Sequence, residues 1–64
     1  MLKYLYKLDE EGQAYELEAR FGSGRAPLKG PVINFDQHGV VLQTSGGPML
    51  VGWQAADTFH VELI

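Results

Sequence analysis

Few residues of this chain are suited to making or breaking a bond; most of its chemistry is suited to holding something. There are two histidines, His38 and His60, and no cysteine. Neither a thiolate metal site nor a histidine-only zinc site can be built from that set. No Ser-His-Asp or Cys-His arrangement comes together, so an enzyme is not expected. The glycine-rich segments at 22–24 and 46–47 lack the lysine that a phosphate-cradling loop requires. Aromatic and amide chemistry remains. Trp53, beside the small Gly52, offers a ring on which a nucleobase would stack. It would equally serve as an anchor between subunits, where tryptophan is enriched, and that second role is favoured. Gln54 has the groups to read a base edge, although a plain polar turn residue is the simpler reading. Phe21, Arg25 and Lys29 form the one locally basic aromatic cluster. Its simpler reading is a core-facing phenylalanine with two solvated cations. Asp36 is expected to be structural, its short carboxylate accepting from backbone amides just ahead of it. His60 is expected on a surface or an interface.

Charge narrows the partners. The net charge is −3, and all five basic residues (Lys3, Lys7, Arg20, Arg25, Lys29) lie at or before position 29. From Gly30 onward the only charged side chains are Asp36, Asp57 and Glu62. Affinity for nucleic acid usually rests on phosphate neutralisation by Lys and Arg, which that half cannot supply. No signal-peptide pattern and no membrane-length apolar run is present, so a cytoplasmic protein without membrane contact is expected. Nothing calls for a cofactor.

Elements must position these residues. With 64 residues the chain reads as a single domain, 1–64. A domain this small buries only about 60% of the surface of its unfolded chain. Yet 45% of its residues are hydrophobic, which suggests burial between copies. Residues 1–12 fit two patterns. Leu2, Tyr4, Tyr6 and Leu8 alternate as in a strand, while Leu2, Leu5 and Leu8 share a helical stripe that Gly12 would end. Lysines near the start and acids at the end oppose a helix macrodipole, which tilts the local reading to a strand. Ala14 to Phe21 is a clear strand, with Tyr15, Leu17, Ala19 and Phe21 facing inward. Leu28 to Phe35 follows, bent at Gly30-Pro31 because proline has no ladder donor. Val40 to Thr44, a turn at Ser45 to Pro48, Met49 to Trp53, and Thr58 to Ile64 complete five strands. Val40 to Thr44 is apolar enough to be covered on both faces. Gln54 to Asp57 allows one helical turn. Five short, bent strands within 14–63 predict a mainly β fold, a small closed or partly open antiparallel barrel.

The order of these pieces resembles the Sm-like superfamily of Sm, LSm and bacterial Hfq proteins, over roughly Ala14 to Leu63. The resemblance is carried by Lys29-Gly30 through Leu42, similar to the first Sm motif, and above all by the corner Phe35-Asp36-Gln37-His38. The second motif departs from the pattern: Gly52-Trp53-Gln54 stands where the family carries aromatic-Lys-His or Arg-Gly, so its basic residue is absent. At the corner itself, Gly39-Val40 replaces the asparagine of archaeal relatives. The resemblance implies an SH3-like, Sm-type barrel preceded by a short helix, which decides residues 2–11 in favour of helix. It implies a homo-oligomeric ring in which strand 49–53 of one copy pairs with strand 59–63 of the next. It also implies a pore-side site for single-stranded, uridine-rich RNA. There Gln37 contacts a base and His38 stacks on it, with Trp53 and Gln54 nearby, while Phe21, Arg25 and Lys29 lie near a second RNA face. The alternative is a ring that serves as a structural or protein-interaction scaffold without RNA.

Overall fold

A computed structural model describes residues 2–64. It contains helix α1 (Leu2–Glu10) and strands β1 (Tyr15–Arg20), β2 (Leu28–Phe35), β3 (Gly39–Thr44), β4 (Gly47–Gly52) and β5 (Thr58–Leu63). The first segment is a helix, and the strand alternative is overturned by what surrounds it. Leu5 is fully buried and Leu8 nearly so, packed with Tyr15 against Val32, Phe35, Trp53 and Val61. Burying each leucine is worth about 1.5–3 kcal/mol, more than the surface charges withhold. The helix ends in a Schellman motif at Gly12, whose φ is +68°. Gln13 N donates to Leu8 O at 2.9 Å and Gly12 N to Asp9 O at 3.1 Å, the paired bonds of that cap.

The five strands form one antiparallel sheet in the order β4-β3-β2-β1-β5. β2 spans its two halves. Its first residues, as far as Pro31, pair with β1, while Val32, Asn34 and Phe35 pair with β3, with a register shift between Val32 and Asn34. β2 changes partner directly after Gly30-Pro31, where a bend was expected, and its one irregularity falls just beyond, between Val32 and Asn34. A Cβ on Gly30 would collide with the Gln43 carbonyl, so close backbone approach excludes any side chain there.

Alternation sets the core. Tyr15, Leu17 and Ala19 are buried from β1, as expected, and Val40 and Leu42 from β3. Leu17 and Ala19 share one cluster with Val40, Leu42, Val51 and Ala56, although β1 and β3 are not neighbours in the sheet. The sheet therefore curls over its own apolar face, and α1 covers a second, smaller cluster. β3 is not fully covered on both faces: Val41 is half-buried and Gln43 exposed. β4 begins two residues earlier than expected, because Ser45-Gly46 alone makes the turn. Thr44 Oγ1 closes it, donating to Gly47 O at 2.8 Å and accepting from Gly46 N at 3.2 Å.

Closure into a barrel does not occur within the chain. β4 and β5 are the outermost strands and do not pair with each other. Each leaves one side of its backbone unpaired in the sheet, the usual invitation to strand addition. Apolar side chains are exposed along both: Leu50 at 76% on β4, and Leu63 at 54% with Ile64 at 74% at the end of β5. Among the described residues, no helix is long and apolar enough to cross a membrane.

Candidate functional site: an uncharged depression at the β2–β3 corner

The corner after β2 is held by one carboxylate. Asp36 Oδ1 accepts from His38 N at 2.7 Å and from Gly39 N at 3.2 Å, and Asp36 N donates to Gly39 O at 3.0 Å. The structural role expected of Asp36 is borne out. The His38 amide, opposed by some desolvation and joined by the Gly39 amide and the His38 side chain, holds the Asp36 carboxyl below its ordinary range. Gln37 and His38 project from this turn and are exposed. Gly39 follows with no room for a side chain, since a Cβ would lie 2.5 Å from Val51 O.

β4 brings the other half of the site. β3 and β4 pair from Thr44↔Gly47 at the turn to Gly39↔Gly52 at the far end. Continued one and two steps, the same register sets His38 opposite Trp53 and Gln37 opposite Gln54. Trp53 N donates to His38 O at 3.2 Å, and its indole Nε1 donates to Asp36 O at 2.7 Å. The ring packs edge-on against Phe59, with centroids 5.2 Å apart at 68°. Ala55 N donates to Gly52 O at 2.9 Å, closing a turn over Gly52 to Ala55 in place of the helical turn allowed for Gln54 to Asp57. Trp53 thus ties the corner to the link leading into β5, and it does so within one chain.

A depression of about 340 Å³ lies between these segments, lined by Gln37, His38, Gly52, Trp53, Gln54 and Ala55. All four residues expected at the primary site line it. Its size falls within the range of small-ligand sites. No lining side chain is a carboxylate, a lysine or an arginine. Neither glutamine amide has a hydrogen-bond partner among the described residues, so each offers one acceptor and two donors. Ala55 was not singled out from sequence. It enters because the link from β4 to β5 turns back at once, a consequence of Gly52 and Ala55 forming one tight turn. Beneath the corner, the Tyr6 ring of α1 packs on Phe35 at 4.9 Å, a contact with no local sequence signal.

The second candidate cluster divides between two sets of contacts. The Arg25 guanidinium lies 4.3 Å over the Phe21 ring, a cation–π contact. Lys29 is instead engaged across the sheet, its Nζ 2.7 Å from Glu62 Oε2. Phe21 is half-buried and packs on the core, as its simpler reading required. The loop after it is pinned by Gly22 N donating to Asp57 Oδ2 and by Asp57 N donating to Arg20 O at 2.9 Å. His60 is exposed on β5, opposite Glu18, and no group of potential metal ligands forms among the described residues. Compared with family models, curated proteins and solved structures, the chain finds no match.

Proposed function

We propose that this chain is an Sm-like subunit that assembles through β4 and β5 into a homo-oligomeric ring and binds single-stranded, uridine-rich RNA. The observation that carries the proposal is the convergence of Gln37, His38, Trp53 and Gln54 on one depression. Stacking on an aromatic ring or imidazole contributes about 1–3 kcal/mol per base and needs no positive charge. Assembly is supported by the two outer strands and the exposed Leu50, Leu63 and Ile64 beside them. Pairing β4 of one copy with β5 of the next would complete both ladders, join the sheets of neighbouring copies and cover those side chains. Such a ring would work in the cytoplasm.

One observation favours a second reading, a ring that acts as a scaffold without RNA. Lys29 is taken up by Glu62, and no lysine or arginine follows it in the chain. Fluorescence anisotropy with short uridine and adenosine oligomers separates the two. Saturable binding that Gln37→Ala with His38→Ala abolishes supports the RNA reading. Absence of binding at about 50 mM salt, where phosphate contacts are strongest, leaves the scaffold. Sedimentation equilibrium tests the ring: the protein should be a closed oligomer and Leu50→Lys a monomer, and a monomeric parent would end the proposal.

A further inference from the structure

We infer that the depression takes an uncharged planar ring, a nucleobase or a nucleoside, and leaves the phosphate in solvent. Any strand it holds is therefore held by its bases with almost no salt dependence. The inference rests on the RNA reading above and specifies what its site recognises.

Four observations support it. The lining is two amides, one imidazole, one indole and two small residues, with no lysine or arginine. The ionised group of the corner itself is Asp36, whose carboxylate accepts from the His38 and Gly39 amides and is held by them below its ordinary range. That charge repels a phosphate. The cations of the sheet and first loop are engaged elsewhere: Arg20 with Glu18, Lys29 with Glu62, and Arg25 over Phe21. Finally, the Trp53 indole N–H is already donated to Asp36 O. Tryptophan therefore presents only its ring, while the free amides of Gln37 and Gln54 present alternating donors and acceptors. An N–H flanked by two carbonyls, as on the pyrimidine imide edge, complements such amides.

The chain has one tryptophan, and it lines the depression, so its emission reports occupancy directly. With the protein as it assembles, at pH 8 and with excitation at 295 nm, uridine, uridine 5′-monophosphate and hexauridine are titrated from 50 to 200 mM salt. Uridine is expected to bind as tightly as its monophosphate, within about threefold. For hexauridine, the slope of log K against log salt should be smaller than one in magnitude, against about −0.7 for every phosphate neutralised on a single strand. Gln37→Ala with Gln54→Ala should remove the response to uridine. A monophosphate bound tenfold tighter than uridine, a slope steeper than about −2, or a response that survives loss of both glutamines overturns the inference. A steep slope with hexauridine still bound leaves the RNA reading standing. Uridine binding without hexauridine binding supports the inference and removes that reading; no response to either ligand removes both.

Discussion

Leu5→Ala should cost more than any charge change on α1, because this helix exists through burial. Nine residues are too few for a stable isolated helix. Its first turn carries Lys3 and no acid, and Asp9 and Glu10 stand at its end, each the wrong way round for the macrodipole. Such mismatches cost about 0.3–1 kcal/mol apiece at an exposed surface and are screened by salt. Against them stands Leu5, fully buried at the centre of the cluster that joins α1 to Tyr15, Val32, Phe35, Trp53 and Val61. Removing a buried leucine side chain costs about 2–5 kcal/mol, the transfer energy plus the cavity left behind. A domain of this length has only about 3–10 kcal/mol of stability in total, so Leu5→Ala should forfeit about a fifth of it or more. Lys3→Glu, which corrects the dipole, should gain no more than about 1 kcal/mol. Urea unfolding at a fixed protein concentration measures both, with Trp53 emission and far-UV circular dichroism as independent probes; Leu8→Val serves if Leu5→Ala does not fold. A loss below about 1 kcal/mol for Leu5→Ala would refute the reasoning. So would disappearance of helical signal while the sheet's transition stays where it was.

Three further outcomes follow. Gly30→Ala places a Cβ against the Gln43 carbonyl, backbone on backbone; overpacking of that kind costs about 1–3 kcal/mol or more, and an unchanged urea midpoint would contradict the close approach. Trp53→Phe keeps a ring but deletes the donor to Asp36 O; a loss of about 0.5–1.5 kcal/mol followed by circular dichroism is expected, and no loss would mean that this bond does not hold the corner. Asp36 has a folded pKa below its ordinary 3.8, so its contribution is complete above that value and disappears as pH falls through the lowered one. Asp36→Asn should therefore flatten the fall of Tm below about pH 4, and superimposable acid limbs for the two proteins would count against it.

What could be read in advance was what depends on near neighbours in the chain. Tyr15, Leu17 and Ala19 alternate with Glu16, Glu18 and Arg20, and that two-residue period placed β1 and its buried face directly. Pro31, which cannot donate to a ladder, marked the place where β2 leaves β1 for β3. The site residues were singled out through the resemblance at the Phe35 to His38 corner, not through pairing. A turn at Ser45 to Pro48 would set Thr44 opposite Met49, whereas the observed register sets it opposite Gly47 and so carries His38 to Trp53 and Gln37 to Gln54. The helix was harder. Leu2, Tyr4, Leu5, Tyr6 and Leu8 satisfy both periods, and only the tertiary cluster over Leu5 and Leu8 and the cap at Gly12 decide between them. The start of β4 was misplaced because Gly46-Gly47-Pro48 looks like a turn throughout, whereas Thr44 closes it after two residues. Lys29 meeting Glu62 was not legible at all, since it needs β5 on the far side of β1 from β2.

The hairpin that builds the depression also builds one of the open edges, and this ties the two proposals together physically. β4 pairs with β3 on one side and has no partner in this chain on the other. Trp53 and Gln54 follow directly after its last residue, Gly52. A strand added along β4 would therefore stiffen the segment that presents Trp53 and Gln54, while Asp36 already fixes the facing corner through His38 and Gly39. Loss of conformational freedom on binding opposes affinity, and the link after β4 is held by Trp53 to His38 and Asp36, by Ala55 to Gly52, and at its far end by Asp57 to Arg20. A site with no cation to attract its ligand depends on such preorganisation more than a basic one does. Assembly along β4 would thus add order to an uncharged binding surface that its own chain already holds through Trp53.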